Sequence, residues 1–129
     1  MSRFGIFSLV GAGGAVVQVL LFDALVRGLR VPAAAAAPIA VELALCHNFL
    51  WHERLTWRGA AAHQRFLRLV RFHAANGLVS IGGNTALTWL LVDYSHVPAL
   101  PAAVASIAVC APLNFLLADR WVYRAHRRA

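Results

Sequence analysis

The sequence predicts an all-α membrane protein, four transmembrane helices built as two parallel-repeat helical hairpins, and three observations carry that prediction. The chain is 60% hydrophobic with 13% charged residues and has a mean hydropathy of +0.66, too apolar for the surface of a small soluble domain. Four apolar runs each hold 20 to 23 residues, which at about 1.5 Å per residue makes roughly 30 to 35 Å of helix, enough to cross a bilayer core. Parts of the first half recur in the second at a shift of 66 residues, as an internal repeat requires.

The first run, Phe4 to Val26, follows Arg3. It outlasts the apolar core of a secretion signal and shows no clear cleavage site, so it is expected to remain in the mature protein. "RGLRVP" at 27–32 is a short polar connection whose closing Pro32 suits the first turn of the second run, Pro32 to Trp51. The third run is Phe72 to Val92; "DYSHVP" at 93–98 repeats the connection, and Pro98 to Leu117 is the fourth. All twelve positive residues are arginine. Arg3, Arg54, Arg58, Arg65, Arg68, Arg71, Arg120, Arg124, Arg127 and Arg128 fall on one side of this arrangement and only Arg27 and Arg30 on the other. The bias orients the chain with both termini in the cytoplasm, and the inner (cytoplasmic) membrane is the expected location. Trp51, Trp57, Trp121 and Tyr123 are expected in the inner aromatic belt, Trp89 and Tyr94 in the outer one.

At the same shift Val31-Pro32-Ala33 falls on Val97-Pro98-Ala99, Gly11 on Gly77, Leu21 on Leu87 and the polar Gln18 on the polar Asn84. Residues 1–129 are thus expected to form a single domain, with repeat 1 at about 1–60 and repeat 2 at about 66–126. Each repeat holds two spans, an even number, so both copies enter the membrane in the same direction. "NFLWHERLTWR" at 48–58 and "NFLLADRWVYR" at 114–124 then end both hairpins on the cytoplasmic face. Asn48 and Asn114 lie about one turn inside the boundary, where an amide is expected to hydrogen-bond across helices. Arg54, Arg58, Arg120 and Arg124 lie at headgroup level. Amides below guanidinium forks suit an anion held at the interface, such as a lipid phosphate. The plainer reading makes the asparagines helix glue and the arginines orientation signals that snorkel to any phospholipid.

Three polar side chains are expected within the membrane: Gln18, Glu42 and Asn84. An ionisable group at the depth of Glu42 is a functional candidate by default; a hydrogen bond to Gln18, or a protonated carboxyl serving only as interhelical glue, are its two simplest uses. Asp23, Asp93, His47 and His73 fall at span ends. Cys46 and Cys110 lie inside apolar runs without ligand spacing and read as buried thiols. His47 and His52 lack a third ligand, no glycine-rich phosphate loop follows a strand, and no Ser or Cys has a positioned base, so neither an enzyme, a metal site nor a cofactor is expected. The pI of about 11.3 arises from arginines beside membrane spans, not from a basic face for nucleic acid.

"RFGIFSLVG" at 3–11 and the two endings at 48–58 and 114–124 resemble the GtrA-like family of small four-helix membrane proteins, over essentially the whole chain. The resemblance implies a role in cell-surface glycan assembly: binding a polyprenyl-phosphate-linked sugar and flipping it to the outer leaflet, often beside a membrane glycosyltransferase. It puts weight on Gly11, Asn48, Phe49 and Arg54 in the first copy and on Asn114, Phe115, Arg120, Trp121 and Tyr123 in the second. Gln18 stands where many relatives are expected to carry an acid, and Leu55 stands where the second copy has Trp121. Two other uses remain: a non-transporting partner that recruits a glycosyltransferase, and, more weakly, a small drug or cation exporter, which the lack of an acid at Gln18 and the ten-to-two arginine bias disfavour. Four short helices enclose little volume, so a headgroup path calls for a partner or a parallel homo-oligomer, with Gly11 and Ala15 or Gly82 and Gly83 as close-packing positions.

Overall fold

The computed structural model describes residues 2–60 and 62–124, and among these every element is helical. Arg127, Arg128 and the last residues assigned to repeat 2 lie outside the described residues. The chain divides into two compact units, residues 1–60 and 61–129.

In the first unit α1 spans Arg3–Asp23 and continues through a π-helical turn at Ala24–Gly28. Ser2 caps it, its Oγ accepting from the Gly5 N–H at 3.0 Å, which satisfies one of the amides that a helix start leaves open. α2 spans Ala33–Trp51 and ends in a second π turn, His52–Thr56. The two helices pack along small residues. Phe7, Val10 and Gly14 are the buried positions of α1, and Ala36, Ala40 and Ala44 form a buried row of α2 at a spacing of four. In a membrane, where lipid is as apolar as leucine, such small surfaces let backbones approach and gain dispersion contact.

The second unit opens with a 3₁₀ turn, Ala62–Gln64, and a long helix, α3, that runs as Arg65–Asn76, a π stretch Gly77–Gly83, Asn84–Trp89 and a last π turn Leu90–Tyr94. α4 spans Ala99–Leu117 and closes with the π turn Ala118–Val122. Its buried row is Ala102, Ser106 and Cys110, again at a spacing of four, and this row faces α3.

The connections of the two units share one backbone device. Arg30 and His96, 66 residues apart, are the non-glycine residues with positive φ among those described, at 57° and 54°. Val31 N–H bonds Leu25 O at 2.9 Å and Val97 N–H bonds Leu91 O at 2.8 Å. Each is a left-handed helix end of Schellman type, one residue wider than usual because the turn before it is π. Pro32 and Pro98 then start the next helices at φ −56° and −54°, where a missing N–H loses nothing.

Among the described residues three helices are long and apolar enough to cross a membrane: Arg3–Gly28, Ala33–Thr56 and Pro101–Val122. The expected span Phe72 to Val92 is not among them. α3 turns several polar groups inward beside Phe72, Ala75 and Val79 and leaves large apolar ones outside: Arg68 is 5% exposed, whereas Phe66 is 78% and Ile81 70% exposed. Asn76, Ser80, Asn84 and Thr88 follow one another at intervals of four along one stripe, which lowers the average apolarity of the helix without making its exterior polar. Two members of the expected inner belt are also placed differently. Trp51 and Trp121 are exposed, but Trp57 and Tyr123 are both 1% exposed, because each follows a π turn that folds the chain back beneath its own unit.

Candidate functional site

The ends of α2 and α4 share a π turn and an exposed arginine pair. In the first unit Phe7 of α1 stacks on His52, ring centroids 4.5 Å apart and 15° from parallel, and meets Trp57 edge-on at 6.0 Å. His52 is fixed further by a 3.1 Å hydrogen bond between its Nδ1 and the Thr56 hydroxyl. On this aromatic floor Arg54 and Arg58 remain exposed. The Arg54 guanidinium lies 5.9 Å from the centroid of the Trp51 ring, within cation–π range, and Arg58 Nε donates to the Arg54 carbonyl at 3.1 Å.

In the second unit the floor is different and the surface is the same. The Arg68 guanidinium of α3 lies 5.8 Å from the centroid of the Tyr123 ring, Ala118 and Val122 are buried, and Arg120 and Arg124 are exposed. An arginine pair therefore caps a packed helix end in each unit. Exposed guanidinium forks suit oxyanions, which they can hold by two parallel hydrogen bonds.

Both asparagines are half-buried, and among the described residues only Asn114 forms the expected hydrogen bond across helices. Asn114 Nδ2 donates across helices to Ser80 Oγ at 3.4 Å. Asn48, at the matching position, rests against Gly14 of α1 so closely that a Cβ there would collide with its amide, and its Oδ1 lies 3.4 Å from His47 Nδ1. The contact pairs 14·48 and 80·114 are themselves 66 residues apart.

The Glu42 to Gln18 hydrogen bond is not formed. Gln18 is exposed and makes no hydrogen bond among the described residues, while Glu42, also exposed, accepts from Cys46 Sγ at 3.9 Å. The reason is helical phase: the α1-facing row of α2 is 36, 40 and 44, and a residue at 42 points the opposite way. Asn84 is half-buried, and its Oδ1 is fully enclosed with no donor among the described residues.

Two acids and one arginine were not singled out from sequence. Glu53 and Asp119 immediately precede Arg54 and Arg120 and are 9% and 8% exposed; the signal was their occurrence at the same place in both endings. Arg68 counted only as an orientation charge, yet it is 5% exposed. A charge count cannot tell an arginine facing water from one facing inward.

Apolar helices of membrane-crossing length, short polar corners and arginine-capped ends define a small multi-pass membrane protein. The family model described as "GtrA/DPMS, transmembrane domain" matches residues 6–123, and the chain belongs to that family. A search of curated proteins finds no relative that matches it.

Proposed function

We propose that the protein binds a polyprenyl-phosphate-linked sugar at its arginine-capped helix ends and carries it across the cytoplasmic membrane as one step of cell-surface glycan synthesis. α3 also crosses, making four spans in all, with its polar stripe turned inward. The two units are parallel repeats of one hairpin, both termini are cytoplasmic, and the arginine ends meet the inner leaflet. The lipid phosphate pairs with Arg54 and Arg58 at one end or with Arg120 and Arg124 at the other, near Asn48 and Asn114, and no bond is made or broken. Membrane lipids surround the helices; a membrane glycosyltransferase or further parallel copies of the chain complete the headgroup path.

The observation that carries this reading is the recurrence of two exposed arginines on a packed floor in both units, although the floors are chemically unlike. Orientation signalling needs only positive charge near the span ends; it does not call for two rigid platforms. The test is replacement of Arg54 or Arg120 by lysine, which keeps charge and removes the planar fork. Binding of a polyprenyl phosphate by the purified full chain should weaken about tenfold for either variant, the worth of one charge-assisted hydrogen bond. Equal affinity in wild type and both variants returns the arginines to orientation signals and leaves recruitment of a glycosyltransferase as the better reading.

A further inference from the structure

We propose that the α3–α4 seam of the second unit is a binding track for the hydroxyl groups of the ligand headgroup, with Asn84 Oδ1 and Asn114 Oδ1 as its acceptors. The inference rests on the lipid-phosphate reading above and adds where the neutral part of the headgroup is held.

The seam is polar along its length. Thr88 Oγ1 donates to Ser106 Oγ at 2.9 Å, Ser106 Oγ donates to the Ala102 carbonyl at 2.8 Å, and Asn114 Nδ2 donates to Ser80 Oγ at 3.4 Å. Those bonds use the Thr88, Ser106 and Asn114 donors and engage the Ser80 oxygen. They leave Asn84 Oδ1 and Asn114 Oδ1 enclosed and without a donor among the described residues. A buried amide oxygen without a donor is costly, and in a membrane no bulk water relieves it. What the two atoms offer is acceptance alone. An anionic phosphate gains nothing from them, whereas the O–H groups of a sugar satisfy both.

Their placement suits one small ligand. Gly83 lies beside Cys110, where a Cβ would come within 3.2 Å of its Sγ, so Asn84 stands near the level of Cys110. Asn114 is one turn further along α4, roughly 6 Å nearer the arginine end. A headgroup whose phosphate meets Arg120 therefore has its first two acceptors in line behind it. The π stretch Gly77–Gly83 runs up to Asn84, and π insertions in otherwise α-helical segments recur at functional sites.

The first unit offers no such track. Residues 11–17, the counterpart of the π stretch, are regular α-helix. Ser106 and Cys110 are replaced by Ala40 and Ala44, Ser80 by Gly14 and Thr88 by Phe22. Asn48 Oδ1 lies near His47, and Gln18 points outward.

The test compares binding of a polyprenyl phosphate with binding of the same lipid carrying one hexose, glucose and mannose tried separately, by the full chain in lipid nanodiscs. Wild type should hold at least one hexosyl lipid about tenfold more tightly than the bare phosphate, as a site built to bond hydroxyls does. Asn84→Leu should abolish that preference and leave affinity for the bare lipid unchanged; Thr85→Leu, on the exposed side of α3, should keep it. Because Asn84 Oδ1 has no donor among the described residues, Asn84→Leu should not lower the melting temperature, whereas a purely structural amide predicts a fall. If the leucine variant does not fold, Asn84→Gln carries the comparison, with a displaced acceptor and a reduced preference. Equal binding of bare and hexosyl lipids by wild type, or an intact preference in Asn84→Leu, overturns the track and spares the lipid-phosphate reading. Failure of wild type to bind either lipid overturns both.

Discussion

The first unit joins its two helices through alanine and glycine; the second joins its pair through hydroxyls and amides. At matched positions Ala40 stands for Ser106, Ala44 for Cys110 and Gly14 for Ser80. The helix ends and corners nevertheless agree down to individual hydrogen bonds, with Trp57 N–H to His52 O and Tyr123 N–H to Ala118 O both at 2.9 Å. Backbone geometry is thus shared where the chain must turn and stop, while the chemistry of the seam has diverged. Close packing of small residues makes a seam rigid and dry. A polar seam with surplus acceptors is less stable alone and able to exchange partners. Under the proposal above, both units present an arginine pair to the lipid phosphate, and among the described residues the seam of the second unit alone offers acceptors to the headgroup.

The largest effect expected from testing that contrast is at Gly14. Alanine there places a Cβ onto the Asn48 amide, which must swing out of the seam or push the helices apart, at about 1 to 3 kcal/mol by the usual cost of overpacking. Asn48→Ala should restore most of the loss, and a double-mutant cycle followed by thermal unfolding in detergent measures the coupling. In the second unit Ser80 already carries a Cβ at this position and bonds Asn114, so Ser80→Ala should cost less than Gly14→Ala. A larger loss at Ser80 than at Gly14 contradicts the division into a steric and a hydrogen-bonded seam.

A smaller effect separates the seams from the other side. Ser106→Ala removes the acceptor of Thr88 and should destabilise by about 0.6 to 1.7 kcal/mol, the range of interhelical hydrogen bonds in membrane proteins. The reciprocal change, Ala40→Ser, should be nearly neutral, because a serine at that site can donate to Ala36 O as Ser106 donates to Ala102 O. Unfolding of both variants under one set of conditions checks the pair.

Much of this was legible in the sequence, and the limits have physical causes. The corners were readable because Pro32 and Pro98, with a fixed φ and no N–H to lose, each close a short polar connection, unlike Pro38 and Pro112 inside the helices. The arginine ends were readable because charge cannot enter the bilayer without a reason. The third helix was harder: average apolarity sums over all faces, and α3 hides Asn76, Ser80, Asn84 and Thr88 on one of them. Their interval of four was visible, but which partner that stripe meets depends on how α3 and α4 pack. Trp57 and Tyr123 were misplaced for a related reason. A π turn adds a residue to the helix end and rotates everything after it, and composition does not announce π turns. Glu42 shows the same dependence, since an expected partner on α1 fails once the phase of α2 is known.

The smallest effect tests what the two units have in common. Arg30 and His96 hold φ near 55°, a left-handed conformation that costs a residue with a Cβ about 1 to 2 kcal/mol and glycine almost nothing. Glycine also loses more chain entropy on folding, which offsets part of the relief. Arg30→Gly and His96→Gly should therefore each stabilise by about 0.5 to 1 kcal/mol, visible as a small rise in melting temperature. Equality of the two is the informative result. If both corners are the same device, they store the same strain although one carries a guanidinium and the other an imidazole. A rise at one position and a loss at the other would mean that the side chain there makes contacts outweighing the strain, and the likeness of the two units would then stop short of their corners.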